Sequence, residues 1–334
     1  MLVAILGLLG FNLLMLWGLE RELFWRQAQF WFLGGAIFYS IRRIDRKDLF
    51  SHRWIIYLFA LGFLSLPLII GQVIRGSNRW LNLAGWSIQP SELVKPWLIG
   101  FLADYLSQKR LKTFGDFFLL LFLLGLPVFL VLIQPDLGSA AVMTVALVGL
   151  VFLVYPRWSW WLAVILISLG LGLVFGSRII HPYQWDRVVT FLNPYQDPLG
   201  KGYNLIQARL AIGSGGWLGR GFGLGRQTQL AYLPERHTDF IFATIAEELG
   251  FIGVVFLLFF YYHFFYHLTK KIFTSRDKFF FYLRMGVFIQ LLAQTSVNLA
   301  MNLGLFPVVG LPLPLVSYGG SSLISTLFSL ALII

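Results

Sequence analysis

Ten apolar stretches, each near the length that crosses a bilayer, follow one another along this chain, and they constrain its fold more than any other feature. A helical span needs about 20 apolar residues, because lipid offers the backbone no hydrogen-bond partner and a helix satisfies its own N–H and C=O groups. The stretches are 2–18, 24–41, 54–74, 91–106, 116–133, 137–155, 158–175, 240–267, 279–303 and 313–334. Composition agrees: 58% of residues are hydrophobic and 12% charged, against roughly 25% charged in ordinary soluble domains. The expected fold is an all-α, polytopic membrane protein, a single transmembrane domain over 1–334. The first stretch lacks the basic leader and small-residue cleavage site of a signal peptide, so it is expected to remain as a span. The sequence ends inside its tenth stretch, so a few native residues are expected beyond Ile334.

The cations set the orientation. Arg42, Arg43, Arg46, Lys47 and Arg53 lie between the second and third stretches, and Lys109, Arg110 and Lys112 between the fourth and fifth. Arg157 follows the sixth, and Lys270, Lys271, Arg276 and Lys278 follow the eighth. The alternate short connections hold only Arg21, Arg26, Arg75 and Arg79. By the positive-inside rule, both termini are expected in the cytoplasm. The net charge of +11 then reports cytoplasmic loops and anionic lipid rather than nucleic acid. Cysteine is absent, which removes disulfides, thiol nucleophiles and cysteine metal sites. Residues 176–239 form a large extracytoplasmic loop. Loops of more than about 15 residues are usually functional or disordered, and amphipathic stretches such as 203–212 favour order.

Charge beside a span is expensive and therefore a functional candidate. On the outer side, Gln89-Pro90-Ser91-Glu92 starts a helix with Gln89 as cap and Pro90 at its first position. Glu92 and Lys95 share a face at i, i+3. They are either a capped helix with an ion pair, or an acid and a base facing an outer cavity. Gln134-Pro135-Asp136 repeats the start. Asp136 is expected in the first turn, as a structural feature near the helix dipole and paired to the long loop. The run Leu233-Pro234-Glu235-Arg236-His237-Thr238-Asp239 ends the long loop. Thr238 or Asp239 could cap the eighth helix, while Glu235, His237 and Asp239 together suit proton abstraction at a membrane surface. Helical geometry keeps Glu247 near the Asp239 face and turns Glu248 away, toward a buried pairing with a neighbouring helix. The glycines at 213–225 match no phosphate-loop pattern and read as turns, although their N–H groups could hold a phosphate. The block Gly310–Ser322, with Ser317 inside it, breaks the start of the last span and should border the outer cavity.

Together these runs resemble the SEDS family of bacterial cell-wall proteins (shape, elongation, division, sporulation). The resemblance rests on Arg79-Trp80-Leu81, Gln89-Pro90-Ser91-Glu92-Leu93 with Lys95, and Gln134-Pro135-Asp136-Leu137-Gly138. It continues through Asn193–Gly200 with Gly202-Tyr203, Ala211–Gly216, Leu233–Phe242, Glu247–Gly250 and the block near 310–322. Gly225-Arg226-Gln227-Thr228-Gln229 and the short N-terminal segment lean toward the elongation branch.

The resemblance implies a peptidoglycan glycosyltransferase that polymerises lipid II at the outer face of the bacterial cytoplasmic membrane. It implies a class B penicillin-binding protein as transpeptidase partner, beside other elongation-complex proteins. It makes Asp239 the catalytic residue and Arg79, Glu92 and Lys95 cavity residues. An α-linked donor giving a β-1,4 bond requires inversion, with Asp239 as general base. Arg79 and Lys95 would then stabilise the leaving pyrophosphate. Gln89, Glu235 and His237 are the further substrate-binding candidates. Asp136, Thr238, Glu247, Glu248 and Ser317 are expected in support. Glu92 either orients Lys95 or helps hold a divalent cation, Mg or Mn, on the phosphates. Two competing readings use the same bundle: a lipid II flippase, and a non-catalytic scaffold for a penicillin-binding protein.

Overall fold

The structure, a computed structural model, describes residues 1–74, 77–83, 86–109, 111–166 and 182–334. Every predicted span contains a helix. In chain order these are α1 (Leu2–Leu19), α2 (Arg21–Ile41), α4 (Arg53–Ile70), α5 (Pro90–Gln108), α6 (Phe114–Ile133), α7 (Leu137–Val154), α8 (158–166), α12 (Ile241–Phe273), α13 (Lys278–Asn302) and α14 (Gly320–Ile333). A short α3 (Arg46–Ser51) joins α2 to α4. Arg75, the seventh predicted stretch from 167 onward and residues 176–181 of the long loop lie outside the described residues. Among the described residues, α1, α4, α6, α7, α12 and α13 are each long and apolar enough to cross a membrane. Helix α5 is more polar, and it is tolerated because α4, α7, α13 and α14 pack around it. Nearly every residue of α5 from Val94 to Leu106 is buried. Lipid-facing helices show the reverse pattern, with Ile55 and Phe122 more than half exposed.

Two expected helix bounds need correction. The stretch 54–74 is helical only to Ile70, where Gly71 takes an extended conformation. Beyond it, β1 (Gln72–Ile74), β2 (Ser77–Leu83) and β3 (Trp86–Ile88) form a small antiparallel sheet, in register at Gln72↔Trp80 and Leu81↔Ile88. The last helix begins at Gly320 rather than 313. Within the long loop, α9 (Pro182–Leu192), a 3₁₀ turn (Pro194–Gln196), α10 (Tyr203–Gly215) and α11 (Arg226–Gln229) are ordered elements.

The eighth predicted span runs on to Phe273 and breaks at Gly250, whose φ of 65° and ψ of −165° leave the helix. A break at this depth must find new partners for its backbone. The glycine segment supplies them. Phe251 N–H donates to Gly216 O (2.9 Å) and Ile252 N–H to Trp217 O (3.1 Å), while Arg220 N–H and Gly221 N–H donate to Glu247 O and Glu248 O (2.8 and 3.1 Å). The approach is close enough that a Cβ at Gly219 would lie 2.1 Å from Glu248 O.

Candidate functional site

The turn that enters α12 is fixed by its carbonyls. Three consecutive ones, of His237, Thr238 and Asp239, each accept hydrogen bonds from a distant element. Tyr318 N–H donates to His237 O at 2.8 Å, and Ser317 Oγ donates to Thr238 O at 2.5 Å. The amides of Asn298 and Asn302 on α13 both donate to Asp239 O, at 3.0 and 2.9 Å. Phe240 holds the N-cap position and offers no polar side chain. Asn302 Oδ1 caps instead, accepting Ala243 N–H at 3.2 Å. The expectation that Thr238 or Asp239 caps this helix is therefore wrong. Thr238 Oγ1 donates to Glu235 Oε2 (2.9 Å), closing the turn on itself. Arg236 ties it to Glu20 at the α1–α2 junction (3.1 Å).

Two cavities flank this turn. One, of about 470 Å³, is lined by Arg26, Phe30, Trp86, His237 and Tyr318; the other, of about 540 Å³, by Arg187, Lys201, Asn204, Asp239 and Gly310. Arg79 and Glu235 line both. The His237 ring meets Tyr318 edge-on at 5.6 Å. Gly310, at φ 72°, leaves space for the Asp239 carboxylate, since a Cβ there would stand 3.3 Å from Oδ2. The broken 310–322 block thus borders both openings. Lys201 pairs with Asp186 of α9 at 2.7 Å on the far wall.

Behind Arg79 runs a buried polar chain. Arg79 Nη1 stands 3.6 Å from Asp136 Oδ1. Asp136 is the N-cap of α7, not a first-turn residue, and accepts Ser139 N–H at 3.1 Å. Its other oxygen accepts Gln89 Nε2 (2.7 Å) and Ser91 Oγ (3.1 Å), so it joins α5 and Arg79 rather than the long loop. Gln89 is nearly buried and spends its amide on that bond. Ser139 Oγ continues the chain to Glu92 Oε1 (3.2 Å), which also accepts Lys95 Nζ at 2.5 Å. Glu92 and Lys95 are 3% and 1% exposed. Their predicted place on the cavity surface is corrected: they form a buried ion pair behind its wall, because α5 is enclosed on all sides. Arg79 alone of the three reaches the openings, and its Nε is buried with no hydrogen-bond partner. Such an unspent guanidinium N–H in a wall suits an anionic oxygen.

Glu247 and Glu248 do not face opposite ways in effect. Asp239 precedes the helix, so rotation about the α12 axis does not relate it to either. Glu247 accepts Gln227 N–H and Thr228 N–H at 2.8 and 3.0 Å, and Glu248 accepts Gly223 N–H and the Gln229 amide at 3.0 and 2.9 Å. Both carboxylates brace α11 and the glycine turns. Within the glycine segment, the N–H groups of Gly219, Arg220, Gly221, Gly223 and Leu224 are spent on protein acceptors rather than left for a phosphate. Glu92 Oε1 accepts from Lys95 and Ser139 and Asp136 from Gln89, Ser91 and Ser139, and among the described residues no three His, Cys, Asp or Glu gather as ligands.

The sequence reading missed Arg187, Lys201, Asn204, Asn298 and Asn302. The asparagines had a signal. Gln290, Gln294, Asn298 and Asn302 recur every fourth residue, one polar stripe on a helix facing the bundle interior.

The profile of the FtsW/RodA/SpoVE family, described as cell cycle protein, matches residues 1–334. The chain is 40% identical over 273 residues to the probable peptidoglycan glycosyltransferase FtsW of Pseudoalteromonas translucida, covering 80% of this chain and 68% of that one. It is 37% identical over 336 residues to the peptidoglycan glycosyltransferase MrdB of Escherichia coli, covering 97% and 89%. Among solved structures, it resembles a chain of a peptidoglycan synthase complex that coordinates polymerization and crosslinking (TM-score 0.85, 33% identity, 99% and 95% covered). It also resembles the Thermus thermophilus rod shape determining protein RodA (TM-score 0.74, 29% identity, 99% and 93% covered).

Proposed function

Since the chain belongs to the FtsW/RodA/SpoVE family and is a peptidoglycan glycosyltransferase of the membrane, we propose that it polymerises lipid II with Asp239 as general base. The observation that carries this reading is the bracketed turn. A carboxylate whose backbone is held from α13 and from the 310–319 segment opens into a cavity that shares Arg79 with its neighbour. A sugar 4-hydroxyl beside Asp239 loses its proton to the carboxylate as it attacks C1 of the donor sugar. The C1–O bond to undecaprenyl pyrophosphate breaks on the opposite face, with inversion. Charge grows on the pyrophosphate, and the fork of Arg79 meets it. Lys95 acts at one remove, holding Glu92, which holds Ser139 and through it the α7 cap that faces Arg79. The two cavities give donor and acceptor a common wall.

Sidedness follows from the cation distribution: both termini in the cytoplasm and the site outside. The complex formed by a structural relative supports a class B penicillin-binding protein as partner. Relatives named FtsW and MrdB match at similar identity. The residues 225–229 support a role in cell elongation.

The test is glycan formation from labelled lipid II by the purified protein, with and without Mg or Mn. Wild type should make long strands. Asp239→Asn, which keeps size and removes basicity, should fold normally and lose about 10²–10⁴-fold in rate. Near wild-type polymerisation by that variant would remove Asp239 from the role. Transbilayer movement of lipid II without polymer would favour the flippase.

A further inference from the structure

Of the 21 residues of α2, the buried ones are Gln27 and Gly34. A polar side chain buried in a span is costly unless its hydrogen bonds are met. Those of Gln27, which is 0% exposed, go to one place. Its Oε1 accepts Gly319 N–H at 3.2 Å, and its Nε2 donates to Ser317 O at 3.5 Å. The amide thus pairs with the backbone on both sides of Tyr318, as a neighbouring strand would. From α1, the buried Asn12 donates to Val316 O at 2.6 Å, and Trp31 Nε1 donates to Asn12 Oδ1 at 3.0 Å.

The segment gripped in this way is the one that touches the turn carrying Asp239. Ser317 Oγ donates to Thr238 O and Tyr318 N–H to His237 O, at 2.5 and 2.8 Å. Gln27 is therefore joined through 317–319 to the two residues just before Asp239. Both backbones are strained beside these contacts. Leu315 has φ 66° and Glu235 φ 53°, left-handed values that side-chain-bearing residues avoid. Such conformations persist only where the surroundings over-determine them, so the place of the turn depends on what holds 316–319. Arg26 and Phe30 of the same helix line the cavity beside His237 and Tyr318, while Gln27 is fully buried behind that wall.

We propose that Gln27 is a positioning residue for glycosyl transfer: by fixing the 317–319 backbone, it sets where the turn presents the Asp239 carboxylate. This rests on Asp239 as general base. Without the Gln27 amide, Asn298 and Asn302 still hold Asp239 O, so the turn shifts rather than unfolds. A shift of about 1 Å in a reacting group can cost about 10²-fold in rate.

The experiment measures kcat and KM for glycan formation from labelled lipid II by the purified full chain in detergent. Gln27→Met keeps the length of the side chain and removes both hydrogen bonds. It should lower kcat about 10²-fold and leave KM little changed, since the loss falls on the transition state. Tyr261→Phe is the control. It removes another bond to the same segment, from the Tyr261 hydroxyl to Pro314 O at 2.5 Å, and should keep kcat. On an Asp239→Asn background, Gln27→Met should cost little more, because residues that act as a unit are not additive. Should Gln27→Met fold poorly, Gln27→Asn keeps a buried amide but draws it back by one methylene, and should also lower kcat. Unchanged kcat in a folded variant, equal losses from Tyr261→Phe and Gln27→Met, or the full loss repeated on the Asp239→Asn background overturns the proposal. Polymerisation near the wild-type rate by Asp239→Asn itself would instead fail the general-base reading.

Discussion

Lys95 is among the most deeply buried large side chains in the molecule, and its single carboxylate neighbour decides its energetics. Breaking a buried pair leaves one charge stranded in a low dielectric and typically costs about 3–5 kcal/mol, whereas replacing both partners is often neutral. Lys95→Met should therefore destabilise strongly, and Lys95→Met with Glu92→Gln should recover most of the loss, as read from the thermal unfolding midpoint in detergent. The double variant also separates the two roles considered for Lys95. If it is stable and polymerises, Lys95 supports the wall. A stable double variant without polymerisation would put Lys95 on the substrate itself.

The break in α12 is an agreement between two elements. Helix α12 gives up its hydrogen-bonding pattern at Gly250, and the turns after α10 answer with donors and acceptors of their own. The fit tolerates no side chain at Gly219, which has φ 84° and faces the Glu248 carbonyl. Gly219→Ala should cost about 2–5 kcal/mol, from left-handed backbone strain plus overpacking. Gly213 is the internal control. It sits in α10 with no atom within 4 Å of an added Cβ, so Gly213→Ala should be neutral or stabilise by about 0.4–1 kcal/mol. Equal effects of the two in chemical unfolding would mean that the plugged break does not limit stability.

Across the whole molecule, the reactive surface is assembled from parts far apart in sequence. The β2 strand brings Arg79, the long loop brings Glu235 and Asp239, and the block before α14 brings Gly310 and Tyr318. If the two cavities work as one site, the residue common to both should matter beyond its charge. Arg79→Lys keeps the charge and loses the fork, and should lower the polymerisation rate about 10²-fold with the fold intact. A rate unchanged by this substitution would separate the cavities functionally. The candidacy of these residues was legible in the sequence because each sits within a few positions of an apolar stretch. Lys95 looked equivalent to Arg79 on that basis, and nothing local to Gln89–Lys95 reveals that α14 closes over it, with Ser325 Oγ donating to Glu92 O at 2.6 Å.

What the sequence determined by itself was that the chain is a polytopic helical membrane protein, and the order of its apolar stretches. Lipid enforces those locally, since every stretch of backbone must meet the same demand for apolar length and internal hydrogen bonds. What only the tertiary structure decided was which polar groups face an opening and which are walled in. That depends on contacts such as Asn302 with Asp239 and Ser321 with Gln89. The polar stripe of α13 shows in the sequence as a period of four, but nothing local to it names the segment each partner meets, because the pairing is made across the fold.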